Sequence, residues 1–70
     1  MPDSIDVQVN GEAVTLAAGA TLRDLIEHLE LGDRKIAVAV NRDVVPRSRY
    51  GDHQVESADR IEILEAVGGG

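Results

Sequence analysis

The sequence predicts a small two-layer α+β domain, a mixed sheet with one helix packed on one face. Three observations predict it. Two segments near the start alternate apolar and polar residues on either side of Asn10-Gly11. One later stretch carries Leu22, Leu25, Ile26 and Leu29 at helical spacing. The rest of the chain holds short alternating segments and no second helical stripe.

Composition bounds what such a domain can do. Seventy residues form one domain and bury only about 60% of the unfolded surface. The hydrophobic fraction of 43% supports a compact core, but Tyr50 is the one aromatic, so Ile, Val, Leu and Ala must fill it. That argues against a deep aromatic-lined ligand cavity. There is no cysteine, hence no disulfide and no Cys-ligated metal, and sulfur chemistry could not run through a thiol of this chain. The net charge of −6 would repel phosphate backbones and anionic lipid, so neither a nucleic-acid nor a membrane partner is expected. An acidic surface suits a basic protein partner, and it equally serves to keep a small protein in solution. No apolar run reaches transmembrane length, and Met1-Pro2-Asp3-Ser4 lacks a signal-peptide pattern, so a cytoplasmic location is expected.

Ile5, Val7 and Val9 alternate with Asp6, Gln8 and Asn10, the pattern of a half-buried strand. Asn10-Gly11 suits a type I′ turn, which needs positive φ at both central residues. Val14 and Leu16 continue the alternation, completing a hairpin. Ala17-Ala18-Gly19 connects to Thr21, a good helix N-cap with Asp24 three residues on. Arg23, Glu27, His28 and Glu30 fall off the apolar stripe, and Gly32 is placed to stop the helix. Ile36, Val38 and Val40 alternate with Ala37 and Ala39, so this third strand is expected to be buried on both faces.

Asn41-Arg42-Asp43 turns the chain into a short extended piece, Val44-Val45. Pro46 ends it and confines it to an edge. Residues 47–51 read as an irregular turn, His53-Gln54-Val55 as a further short strand, and Ser57-Ala58-Asp59 as a turn. Ile61 and Ile63 then alternate with Glu62 in a last strand. The helix crosses over from the hairpin, so a right-handed connection to a parallel neighbour is expected. With the first and last strands side by side in the centre, this order is the ubiquitin-like β-grasp.

Side-chain chemistry finds little support. Asp24, Glu27 and Glu30 read as a solvated helix face, and His28 and His53 lack metal-ligand spacing. Ser4, Ser48 and Ser57 have no His-Asp arrangement, and the glycines open no helix, so they form no phosphate loop. We assign no catalytic and no metal-binding side chain. Leu64 leaves two readings open. Strand parity turns it away from the core, either as a lone exposed leucine or as an apolar anchor for a partner, with Val67 extending the patch.

The chain ends in Gly68-Gly69-Gly70. Glycines bury nothing and lose the most entropy on ordering, so residues 68–70 are expected to form a flexible tail beyond a domain of residues 1–67. A frayed terminus or a linker remnant would look similar. However, a strand pattern leads directly into the run, and only glycine lets backbone enter a channel too narrow for side chains.

Residues 41–50, Asn41-Arg42-Asp43-Val44-Val45-Pro46-Arg47-Ser48-Arg49-Tyr50, supply a more specific signal. They resemble a signature of the ThiS-type sulfur-carrier proteins of thiamin biosynthesis. That signature is an Asn, two variable residues, two aliphatics, Pro-Arg, two variable residues and an aromatic. The terminal Gly69-Gly70 matches the family's second signature, while the third glycine, Gly68, is not diagnostic. Arg47 identifies the family and takes no functional role on this reading. The resemblance implies that Gly70 is the working residue, with Gly68 and Gly69 entering partner active sites. A ubiquitin-activating-enzyme-like adenylyltransferase (ThiF type) would use ATP to adenylate the Gly70 carboxylate. A persulfide sulfur donor would convert the adenylate to a thiocarboxylate, and thiazole synthase (ThiG type) would take the sulfur. The carrier would be a cosubstrate with no bound cofactor. The small subunit of molybdopterin synthase, a ubiquitin-like protein modifier and a non-catalytic interaction domain are the rival readings.

Overall fold

The computed structural model of the chain describes residues 3–65. Its elements are β1 (Ser4–Val9), β2 (Glu12–Ala17), α1 (Leu22–His28), β3 (Ile36–Val40), β4 (Asp43–Val45) and β5 (Arg60–Glu65), with a 3₁₀ turn at Arg47–Arg49. The strands form one sheet in the order β2-β1-β5-β3-β4. β1 and β5 are parallel and central, and the other neighbouring pairs are antiparallel. With α1 covering one face, this is the β-grasp arrangement that the sequence predicts.

Local chemistry explains the start of the fold. Asn10 and Gly11 take φ of 52° and 85°, so the hairpin closes in two residues with Val9 opposite Glu12. Thr21 and Asp24 form the reciprocal cap: the Thr21 N–H donates to Asp24 Oδ2 at 2.9 Å, and the Asp24 N–H donates to Thr21 Oγ1 at 3.3 Å. The loop after the 3₁₀ turn covers the same helix end. The Leu22 N–H donates to the His53 carbonyl at 2.9 Å and the Arg23 N–H to the Tyr50 carbonyl at 3.1 Å. The first-turn donors of α1 are therefore all engaged within the chain.

The core lies between α1 and one face of the sheet. Leu22, Leu25 and Ile26 meet Val7, Val9, Val38, Val40, Ile61 and Ile63, and Tyr50 and Val55 close the helix's N-terminal end. Burying such side chains contributes about 1.5–3 kcal/mol each.

Four expectations need correcting. Gly32 does not stop the helix. Glu30 does, at φ 59°, with its N–H donating to the Glu27 carbonyl at 3.0 Å and the Leu31 N–H to the Ile26 carbonyl at 2.9 Å. This is a Schellman ending with glutamate in the left-handed position. β3 is not buried on both faces: Ala37 is exposed and Ala39 half-buried, because the single helix covers only the other side. The crossover leads to no adjacent strand. β3 runs parallel to β2 with β1 and β5 between them, and the adjacent parallel pair is β1–β5. Finally, His53 to Val55 contributes only an isolated bridge between Gln54 and Thr21.

Candidate functional site

The candidate site is the end of β5 and the two surfaces flanking it. Ile61 and Ile63 are buried, 1% and 7% exposed, so alternation sends Leu64 to the open face of the sheet, where it is 72% exposed. Antiparallel pairing sets Leu64 opposite Ala37, and Val44 opposite Ala39 on the far side of β3. Leu64 and Val44 thus flank the two alanines on one face. They are the two exposed large hydrophobic side chains among the described residues. Val44 was not singled out in the sequence as a docking residue. The signal was present, since Val45 turns inward and strand parity then turns Val44 outward.

The helix side of the same strand end is polar. Ile36 pairs with Glu65, and the Glu65 carboxylate accepts a hydrogen bond from Arg34. This hydrogen bond and the negative charge of Glu65 hold the Arg34 guanidinium pKa above its usual value. Both side chains are well exposed, so the pair adds little to stability. Next to it is a recess of about 220 Å³ lined by Arg23, Glu27, Arg34, Arg47 and Tyr50 over Ile26 and Leu31.

Among the described residues no other constellation stands out. His28 lies in the last turn of α1, and His53 lies in the loop at the helix's opposite end. Among the described residues no three His, Asp or Glu side chains are grouped to hold a metal ion. No helix there is long and apolar enough to cross a membrane. Val67, Gly68, Gly69 and Gly70, and with them the boundary between domain and tail, lie outside the described residues.

The Pro-Arg-aromatic stretch is structural at both ends. Pro46 enters the 3₁₀ turn, while Tyr50 is buried in the core and its carbonyl accepts from the helix's first turn. Asn41 opens the stretch at φ 50°, and its side-chain Oδ1 accepts from the Arg60 N–H at 3.0 Å, tying the turn to β5. The model of the ThiS family matches residues 7–70, which takes in these residues and the terminal glycines.

The chain belongs to the ThiS family. The sulfur carrier protein ThiS of Escherichia coli (strain K12) is 32% identical over 66 residues, spanning 94% of this chain and 100% of that one. The crystal structure of a thiamine biosynthesis protein (ThiS) from Geobacter metallireducens shares the fold with a TM-score of 0.80. It is 26% identical and covers 94% of this ThiS-family chain and 100% of its own. A thiazole synthase of Paramagnetospirillum magneticum is 37% identical over 62 residues, 89% of this chain but 19% of the synthase.

Proposed function

We propose that this chain is a sulfur carrier in thiamin biosynthesis and that its working group is the α-carboxylate of Gly70. An adenylyltransferase of the ubiquitin-activating type uses ATP to convert that carboxylate to an acyl adenylate. The outer sulfur of a persulfide donor displaces AMP to give an acyl disulfide. A second thiol on the donor side then attacks the donor's own sulfur, forming a disulfide there and releasing the thiocarboxylate. Thiazole synthase takes that sulfur for thiazole formation. The chain is a cosubstrate in this cycle, and Gly68 and Gly69 let its backbone enter the partners' active sites. A cytoplasmic location goes with this reading.

The observation that carries it is the thiazole synthase that contains, within a fifth of its length, a stretch similar to nearly all of this chain. A carrier joined to the enzyme that consumes its cargo is a sensible arrangement. The surface supports docking as well. Leu64, Ala37, Ala39 and Val44 form an apolar patch next to the strand that leads into the tail, and apolar anchors of this kind carry much of the energy of an interface.

The test is incubation with the activating enzyme, ATP and a sulfur source, followed by intact-mass measurement. The expected product has one oxygen replaced by sulfur, and fragmentation places the change at Gly70. Covalent joining to lysines of other proteins, with no sulfur uptake, would favour the protein-modifier reading.

A further inference from the structure

We infer that the recess between α1 and the 3₁₀ turn binds a carboxylate, and that its occupant is an acidic side chain of the enzyme that takes up this chain's tail. The identity of the partner rests on the carrier reading above. The site itself rests on how this chain distributes its charge.

The chain has seven Lys and Arg residues against thirteen Asp and Glu, yet three arginines line this one small recess. They arrive from three separate elements. Arg23 comes from the first turn of α1, Arg34 from the turn before β3, and Arg47 from the first residue of the 3₁₀ turn. Arg34 is paired with Glu65, which is the one ion pair among the described residues, so Arg23 and Arg47 have no such partner there. Glu27 is the single acidic residue in the lining. Like charges brought together repel, and an anion in the recess would relieve that repulsion.

The shape and chemistry select the anion. At about 220 Å³ the recess is smaller than the roughly 300–1,000 Å³ of ordinary small-molecule pockets, so it would not enclose a nucleotide. A carboxylate fits, and the guanidinium fork matches its two oxygens. Arg23 reaches the recess across Gly51. Its Nε lies 3.7 Å from where a Cβ on Gly51 would stand, so the side chain lies over that glycine. The apolar floor of Ile26 and Leu31 lowers the local dielectric and strengthens the attraction.

Location selects the occupant. The recess adjoins Arg34 and Glu65, and residues 66–70 follow Glu65 directly. An enzyme surface receiving those residues therefore meets the recess on the helix side and the Leu64 patch on the open side. The overall charge of −6 favours a basic partner at long range, so a local acid on that partner meeting these arginines would fix orientation.

The experiment compares two doubly substituted chains in ATP–pyrophosphate exchange with the activating enzyme. Arg23→Gln with Arg47→Gln removes the two unpaired recess charges. Arg42→Gln with Arg60→Gln removes two charges from a different recess, at the far end of the sheet. The first pair is expected to raise KM for the chain about tenfold or more with kcat unchanged, and to flatten its dependence on NaCl. The second pair is expected to stay within about threefold of the parent. Arg23→Lys with Arg47→Lys, which keeps charge but loses the fork, should lie between. Melting curves of all variants confirm that each is folded. Equal KM in the two glutamine pairs overturns the proposal while leaving the carrier reading intact. Absence of exchange with the parent chain overturns both. In the free chain, a shift of the Arg23 and Arg47 guanidinium NMR signals on deleting Gly70 would show that the chain's own terminus fills the recess, and that too overturns the proposal.

Discussion

The side-chain amide of Asn10 takes the place of a peptide group opposite Ile63. Its Oδ1 accepts from the Ile63 N–H at 2.9 Å and its Nδ2 donates to the Ile63 carbonyl at 3.1 Å. The parallel ladder between β1 and β5 registers only Gln8 with Arg60 and Val9 with Ile61 before β1 turns away. Asn10 adds a further rung from within the turn. Asn41 does similar work at the start of β5, donating to Asp59 Oδ1 at 3.0 Å and accepting from Arg60. The strand that leads to residues 66–70 is thus held by the side chains of two turn residues.

Asn10→Gly separates the two roles of that residue. Glycine adopts the φ of 52° without strain but loses both bonds to Ile63. Ile63 is mostly buried, so its peptide group would be left poorly satisfied at a cost of about 1–3 kcal/mol. Urea unfolding should show that loss, and amide exchange at Ile63 should quicken. A change below about 0.5 kcal/mol would mean that water replaces the asparagine at no cost.

What the sequence disclosed divides by range. The hairpin turn, the Thr21 cap and the stripe of Leu22, Leu25 and Ile26 depend on neighbours within four residues, and all were legible. The role of Asn10 as a rung spans fifty-three residues, and no local pattern announces it. Ala37 and Ala39 looked like a second buried face because alanine is apolar, but their burial depends on whether anything covers them. At the candidate site, parity in β5 turned Leu64 outward, which is where the fold places it. Arg23, Arg34 and Arg47 come from separate elements, so only the folded chain shows that they share a recess.

The helix end offers a second test. Glu30 occupies the left-handed position at φ 59°, where glycine is unstrained, while Gly32 has open space where a Cβ would stand. Glu30→Gly should therefore stabilise the chain by about 0.5–1 kcal/mol, and Gly32→Ala should be neutral or stabilising by about as much. Thermal melts check both. A clear loss with Glu30→Gly would show that the glutamate side chain supplies something beyond backbone conformation.

Adjacent residues of β5 should separate stability from binding. Ile63→Ala removes a core side chain and should cost about 2–5 kcal/mol. Leu64→Ala and Val44→Ala remove exposed side chains and should change stability by less than about 0.5 kcal/mol. If the open face docks the activating enzyme, each should weaken binding by about 1–2 kcal/mol, measured by calorimetry. Normal affinity in a chain carrying both substitutions would make Leu64 a lone exposed leucine and remove this face from the interface.

The last prediction concerns the atom that carries the proposed function. If that atom belongs to the α-carboxylate of Gly70, the chemistry needs a free terminus there. One residue added after Gly70 turns its carbonyl into an amide and moves the carboxylate past the adenylation site. Deleting Gly69 and Gly70 removes the acceptor altogether. A tag before Met1 is different, because β1 and β5 run parallel and β1 begins at the end of the sheet away from where β5 finishes. With activating enzyme, ATP and a sulfur source, the parent and the N-terminally tagged chain should both exchange one oxygen for sulfur in intact mass. The extended and deleted chains should show no exchange while keeping the parent's melting curve. Sulfur uptake by the extended chain, with its extra residue still attached, would place the reactive group elsewhere and defeat the carrier mechanism.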